Sequence, residues 1–398
     1  MSSPTRVFQT DNYLIKLDLN NQSLRIDCDD GPWAVSYVSF DESGPSFTEE
    51  APIPSNITKI RNFGFKPLAY LGQKSKCIDD YLMAGLELHL QEGKAAFLTE
   101  LVKSLSGMSI QDENVGCIAF LAACAESGME LSLPSDTKMA VQEFIKDFDG
   151  TPYLSRPLGL YSWHNKLSNI FRQDRILQTA FTDEASHRAL KMAIGQVENG
   201  ANKYGDWLKL QSVLTSSCRA KFYSLLSGVR NLQPDEKYAF MPPTRSIETD
   251  LITKLYGDSP IPDDFDLMTE LIKQIKSGQL DLSPLQTSGW YDYCYWAHEP
   301  MLLPGETIES DKLEFTEKYE EHLIELFKGF TALSRETHIK NASPPAAGAG
   351  SLELCLGPNL SVEPLPSYFL RRARGYDFIR TVLADLLEDD LSKIHGYS

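Results

Sequence analysis

Ser288-Gly-Trp-Tyr-Asp-Tyr-Cys-Tyr-Trp-Ala-His-Glu-Pro300 packs aromatic, acidic and imidazole groups more densely than any other window of the chain. Read as a helix that starts after Gly289 and stops near Pro300, where proline cannot continue it, the window sorts into faces. Tyr291, Cys294, Tyr295 and His298 fall together at i, i+3, i+4 and i+7. Asp292, Trp296 and Glu299 line the adjoining face. Such a set of rings suits either a core or a pocket wall, and the polar tips of Tyr and Trp need partners once buried.

Outward from this window, helical periodicity dominates. Downstream, Leu313 to Ile339 is the clearest amphipathic helix, with Tyr319, Leu323, Leu326, Phe327, Phe330 and Leu333 on one face. One more turn of that face reaches Thr337 and His338. After the small-residue stretch from Asn341 to Gly350, Ser367 caps a helix to about Ser392. Arg372 sits in the middle of its apolar face, between Tyr368, Phe369 and Tyr376.

Upstream, Ile78 to Leu105 repeats Tyr81, Leu82, Leu86, Leu90, Phe97 and Leu101 at helical spacing. Val115 to Ala125 is apolar enough for a buried helix, and Ser135 is a good N-cap for the next one. Asp147 to Gly150 fails as a calcium loop, because Ile145 and Arg156 occupy ligand positions, and reads as a turn. Trp163, Leu167, Ile170, Phe171 and Asp174 share a face. Thr182 caps a long helical region that Gly200 and Gly205 divide; Ile247 to Tyr256 and Phe265 to Ile275 are shorter helices. Near the N-terminus, Tyr13 to Asp27 alternates as a hairpin and Trp33 to Phe40 reads as a strand. The expected fold is therefore mainly α: a multi-helix globular protein with a small N-terminal antiparallel β element. Pro152 and Pro157 mark a change of character, so residues 1–150 are expected as one lobe and 151–398 as a helical lobe carrying the site.

The 398 residues carry a formal charge of -17, which argues against nucleic acid and against an anionic membrane surface as partners. Seven cysteines, an odd number without a CxxC pair, support neither a disulfide framework nor a zinc ribbon. The N-terminus leads into a polar segment, and the longest apolar run, Cys117 to Ala125, is too short to span a bilayer. A cytoplasmic protein is expected.

P-loop, GxGxxG, GxSxG and HExxH patterns are absent; His298-Glu299 is followed by Pro-Met-Leu. Three of the seven histidines, His164, His298 and His338, stand near aromatic or apolar neighbours. With one carboxylate they would bind a divalent metal, zinc or ferrous iron, and leave a position open for water. A metal-free version takes Glu299 or Asp292 as general acid and His298 or Glu336 as base. Paired carboxylates beside Trp and Tyr also suit glycoside chemistry on a helical toroid. A buried Arg372 must be paired, either with Glu336, Glu299 or Asp174 or with a carboxylate or phosphate of a substrate. Cys294 and His298 at i, i+4 are not the usual arrangement for activating a thiolate. The plainer reading of every one of these groups is structural: core rings, satisfied histidines and an internal ion pair. The expected function is a small-molecule enzyme with a His/carboxylate centre and an arginine for an anionic group. The alternatives are a non-catalytic binding or scaffold protein and a carbohydrate-active toroid.

Overall fold

The structure is a computed structural model that describes residues 68–303 except 107–109, 111–112, 219, 230, 234–235 and 258, together with 317–340 and 365–386. The expected N-terminal β element lies outside these residues. Packing divides the chain into two units, Met1–Leu68 with Gly357–Glu363, and Ala69–Leu356 with Pro364–Ser398. Apart from Leu68, the thirteen α-helices among the described residues belong to the second unit, which is mainly helical as expected.

The helices are α1 (Leu68–Leu105), α2 (Val115–Glu126), α3 (Ser135–Asp149), α4 (Pro152–Ser155), α5 (Asn165–Leu177), α6 (Glu184–Gln196) and α7 (Gly200–Leu214). They continue as α8 (Lys221–Leu226), α9 (Ile247–Tyr256), α10 (Leu267–Lys276), α11 (Trp290–His298), α12 (Glu317–Thr337) and α13 (Pro366–Leu386). The position of the expected lobe boundary falls inside one packed unit. Across it α2 packs on α5, and Lys94 of α1 meets Asp174 of α5 at 2.8 Å.

Two apolar clusters hold the helices. Around α2, which is buried on every side from Gly116 to Cys124, gather Leu98 and Leu101 of α1 with Ile176, Leu190, Tyr204 and Phe240. A helix apolar all round is a core helix, and each fully buried Leu or Phe contributes about 1.5–3 kcal/mol. The second cluster joins Met83 and Leu86 of α1 to Tyr161, Phe171, Trp290, Cys294 and Ile379. It is this cluster that seats α11, which also packs along α12 and α13.

Several local readings shift by a residue or a turn. The cap of α6 is Asp183, not Thr182; its carboxylate accepts from the Ser186 amide at 2.7 Å. Ser135 is the first residue of α3, behind Pro134, and α3 runs through the expected turn to Asp149. Tyr81, expected on the apolar stripe of α1, is 72% exposed because the buried stripe runs through Asp80, Met83 and Glu87 instead. Gly200 does separate α6 from α7, but Gly205 lies within α7, where a Cβ would stand 2.6 Å from the Tyr223 hydroxyl. No helix among the described residues is long and apolar enough to cross a membrane.

Candidate functional site

Helix α11 starts where the sequence places it. Gly289 precedes it because a Cβ there would lie 2.2 Å from the Ser212 carbonyl oxygen and 2.5 Å from that of Thr215. The Asp292 carboxylate turns back to accept from the Gly289 amide at 2.8 Å, satisfying one orphan donor of the helix start. Tyr291, Cys294, Tyr295 and His298 are all buried, and the Tyr291 and Tyr295 hydroxyls donate to Glu248 at 2.5 and 2.6 Å. At the far end Pro300 does not stop the chain at once; a 3-10 turn, Glu299–Met301, follows directly.

His298 closes α11 against α1, α12 and α13, at the wall of a cleft whose polar lining is Ser75, Lys76, Asp79, His298, Ser334 and Arg372. Counted out to solvent the cleft has about 240 Å³ of empty space, and its enclosed part admits roughly one water-sized group. His298 is 3% exposed; its ring packs against Phe330 at 5.6 Å and stacks on Tyr368 at 6.3 Å. Burial, and then the Arg372 charge, push its pKa down to about 3, so the imidazole is neutral. His298 Nδ1 is buried and has no hydrogen-bond partner among the described residues.

Arg372 is paired, as a buried guanidinium must be, but with none of the partners expected. One terminal nitrogen donates to both oxygens of Asp79, at 2.9 and 2.7 Å, and to the Tyr376 hydroxyl at 2.8 Å. The other terminal nitrogen donates to Cys294 Sγ at 3.2 Å. Arg372 Nε is buried and has no hydrogen-bond partner among the described residues. Burial drives the Cys294 thiol up to about 12 against the pull of Arg372, so it is no thiolate nucleophile. Burial likewise raises the Asp79 carboxyl, although Arg372 lowers it. Lys76, at the cleft, is bound to Asp80, whose other oxygen accepts from Thr337 Oγ1 at 2.6 Å.

The metal triad does not assemble. His164 is exposed and caps α5, its Nδ1 accepting from the Lys166 amide at 3.1 Å. His338 is buried between Trp290 and Tyr291, with ring centroids at 5.4 and 4.8 Å. Among the described residues no three His, Cys, Asp or Glu side chains are placed to hold a metal ion. The zinc or ferrous iron expected on His164, His298 and His338 therefore has no donor set here.

The expected acid–base carboxylates are dispersed too. Asp292 is engaged at the start of α11 with Gly289 and, at 2.8 Å, Ser216; burial raises its pKa to about 6. Glu299 is bound to Arg371, whose guanidinium lies 4.7 Å over the Trp296 ring. Glu336 is partly exposed, 3.7 Å from Lys76.

A second buried charge cluster has no counterpart in the sequence reading. Asp174 lies 2.8 Å from both Lys94 and Lys340, and Lys340 is also bound to Glu87, which accepts from the Tyr161 hydroxyl at 3.2 Å. Burial alone would raise Asp174; the Lys340 and Lys94 charges together hold it below the ordinary carboxylate value. The legible signal is a spacing: Asp80, Glu87 and Lys94 recur every seven residues on the face of α1 that also carries Leu101. No family model, no curated protein and no solved structure matches this chain.

Proposed function

We propose that the chain is a small-molecule enzyme whose reacting centre is the cleft between α1, α12, α13 and the end of α11. One observation carries the reading. Two buried nitrogens, His298 Nδ1 and Arg372 Nε, have no partner among the described residues, and both belong to side chains lining the same cleft. An unmet buried polar atom costs about 1–3 kcal/mol; others in this protein, both ring nitrogens of His338 among them, lie away from the cleft lining, where no ligand offsets that cost. A binding site does gain, because the ligand supplies the missing partner. A neutral imidazole beside a fixed cation is a polarising group: it donates to an oxygen on which negative charge develops. In this reading His298 and Arg372 act on the substrate, Lys76 orients it at the mouth, and Glu336, close to Lys76, is the carboxylate nearest to solvent. A cytoplasmic location goes with it, supported by free thiols at Cys77, Cys117, Cys124, Cys218 and Cys294.

The test is turnover in a complex mixture. Wild-type protein and a His298→Asn variant are incubated with a small-molecule cell extract, and the mass features are compared. A feature consumed and another formed by the wild type alone supports the reading; identical profiles for wild type, variant and buffer remove it.

A second reading, a non-catalytic binding protein, is favoured by one surface feature. Tyr81 and Trp163, 72% and 49% exposed, lie with ring centroids 5.1 Å apart beside an exposed Ile78. Under this reading Tyr81→Ser with Trp163→Ser abolishes capture of a protein partner, and no extract feature is turned over.

A further inference from the structure

We infer that the cleft receives the oxygen of an uncharged carbonyl compound, such as an amide, ketone or urea, in preference to a carboxylate or phosphate. The inference rests on the enzymatic reading of the cleft and names its substrate class. Three observations lead to it.

The first is the kind of atom left without a partner. Arg372 Nε always carries a proton, and a neutral imidazole carries one N–H that can stand on Nδ1, so the pair can offer two donors to one acceptor. An oxygen between them would accept both, with the hydrogen of His298 on Nδ1. A cationic or purely donor ligand would leave Arg372 Nε unmet.

The second is charge. Each cation at the cleft already has its own carboxylate: Arg372 has Asp79, and Lys76 has Asp80. Glu336 stands 3.7 Å from Lys76 as a further negative charge. Among the described residues no positive charge of the lining is left over for an anion, which would enter as an unpaired buried charge beside three carboxylates. A carbonyl oxygen brings only a dipole, and charge that develops on it during reaction meets Arg372 Nε–H.

The third is space. The enclosed part of the cleft admits roughly one water-sized group, which fits a single oxygen reaching in from the mouth. The rest of the molecule would lie against Phe330, Leu333 and Tyr368, which are also part of the lining.

The experiment uses the full chain labelled with nitrogen-15 and follows the Arg372 Nε–H and His298 ring resonances. N-methylacetamide, acetate and inorganic phosphate are titrated separately at equal ionic strength. N-methylacetamide is expected to give a saturable shift of both resonances, with acetate and phosphate weaker by about tenfold or more. A Ser75→Leu variant, which narrows the mouth, is expected to lose the effect while the amide spectrum elsewhere stays unchanged. Acetate or phosphate binding as tightly as N-methylacetamide overturns the inference and leaves the enzymatic reading standing. Absence of any saturable shift with N-methylacetamide, the result if the donors meet water only, overturns it as well. The enzymatic reading itself is judged by the extract turnover, whatever the probes do.

Discussion

Asp79, in the fourth turn of α1, accepts two hydrogen bonds from Arg372, 293 residues further along the chain, at 2.9 and 2.7 Å. The pair ties the first third of α1 to the first third of α13 and fixes the guanidinium through its terminal nitrogen, while Nε takes no part in the pairing. Breaking a buried pair by removing one partner leaves the other charge uncompensated, at about 3–5 kcal/mol. Asp79→Ala and Arg372→Ala are each expected to lose that much in urea unfolding. Asp79→Leu combined with Arg372→Met is expected to lose less than either. Additive losses in the double variant would show that the two residues do not act as a pair.

Lys340 is fully buried between Glu87 and Asp174, three residues beyond the end of α12. Lys340→Met keeps the length of the side chain and removes the charge. It leaves Glu87 and Asp174 with Lys94 alone, so a loss of about 3–5 kcal/mol is expected, partly restored by Glu87→Gln. Calorimetric or denaturant unfolding that finds Lys340→Met as stable as wild type contradicts the role assigned to this cluster.

Acid should destabilise the protein through two histidines. His298 and His338 titrate at about 3 when folded, against an ordinary 6.5, because burial penalises their charged forms. Below pH 6.5 the unfolded chain takes up protons that the native protein refuses. Stability present above that pH is therefore lost as pH falls toward 3, by up to about 1.4 kcal/mol per pH unit for each histidine. Asp292 works in the opposite sense: its native pKa of about 6 lies above the ordinary 3.8, so it adds stability as pH falls through that window. His338→Phe should flatten the profile relative to wild type by about 1.4 kcal/mol per pH unit between those limits. Parallel profiles for the two proteins would show that His338 is not held neutral by burial.

Gly289→Ala places a methyl group 2.2 Å from the Ser212 carbonyl oxygen, where backbone must move to admit it. Since α11 begins at the next residue, the shift carries to Asp292 and the whole aromatic helix. A loss of about 2 kcal/mol or more in thermal or denaturant unfolding is expected, within the range for overpacking. A neutral substitution would mean that the close approach is relieved at no cost.

The helices were legible because their apolar spacing is strong. Val115 to Glu126, Trp290 to His298 and Ile247 to Tyr256 begin and end within a residue of where periodicity and breakers place them. Caps were less legible, since Thr182 and Asp183 are chemically equivalent choices and only the backbone turn selects the second. Partners across long separations were not legible at all. Nothing local to Arg372 distinguishes Asp79 from Glu336, Glu299 or Asp174; the choice follows from α13 packing beside α11 and the start of α1. His164 misled for a related reason: its aromatic neighbour Trp163 is exposed, so proximity in sequence to an aromatic ring did not mean burial. Lys340 escaped notice because a lysine after a helix reads as a solvated end, and its burial is settled by three other segments.

The proposed chemistry turns on His298 being a neutral imidazole with one nitrogen open to a ligand. The ring nitrogens of His298, followed by long-range proton–nitrogen NMR in the full chain, test it most directly. Neutral-imidazole resonances that do not titrate above about pH 5, and that change when N-methylacetamide is added, are expected. A His298 ring that titrates near its ordinary 6.5, or whose resonances stay fixed with every probe and with the turned-over extract component, contradicts it.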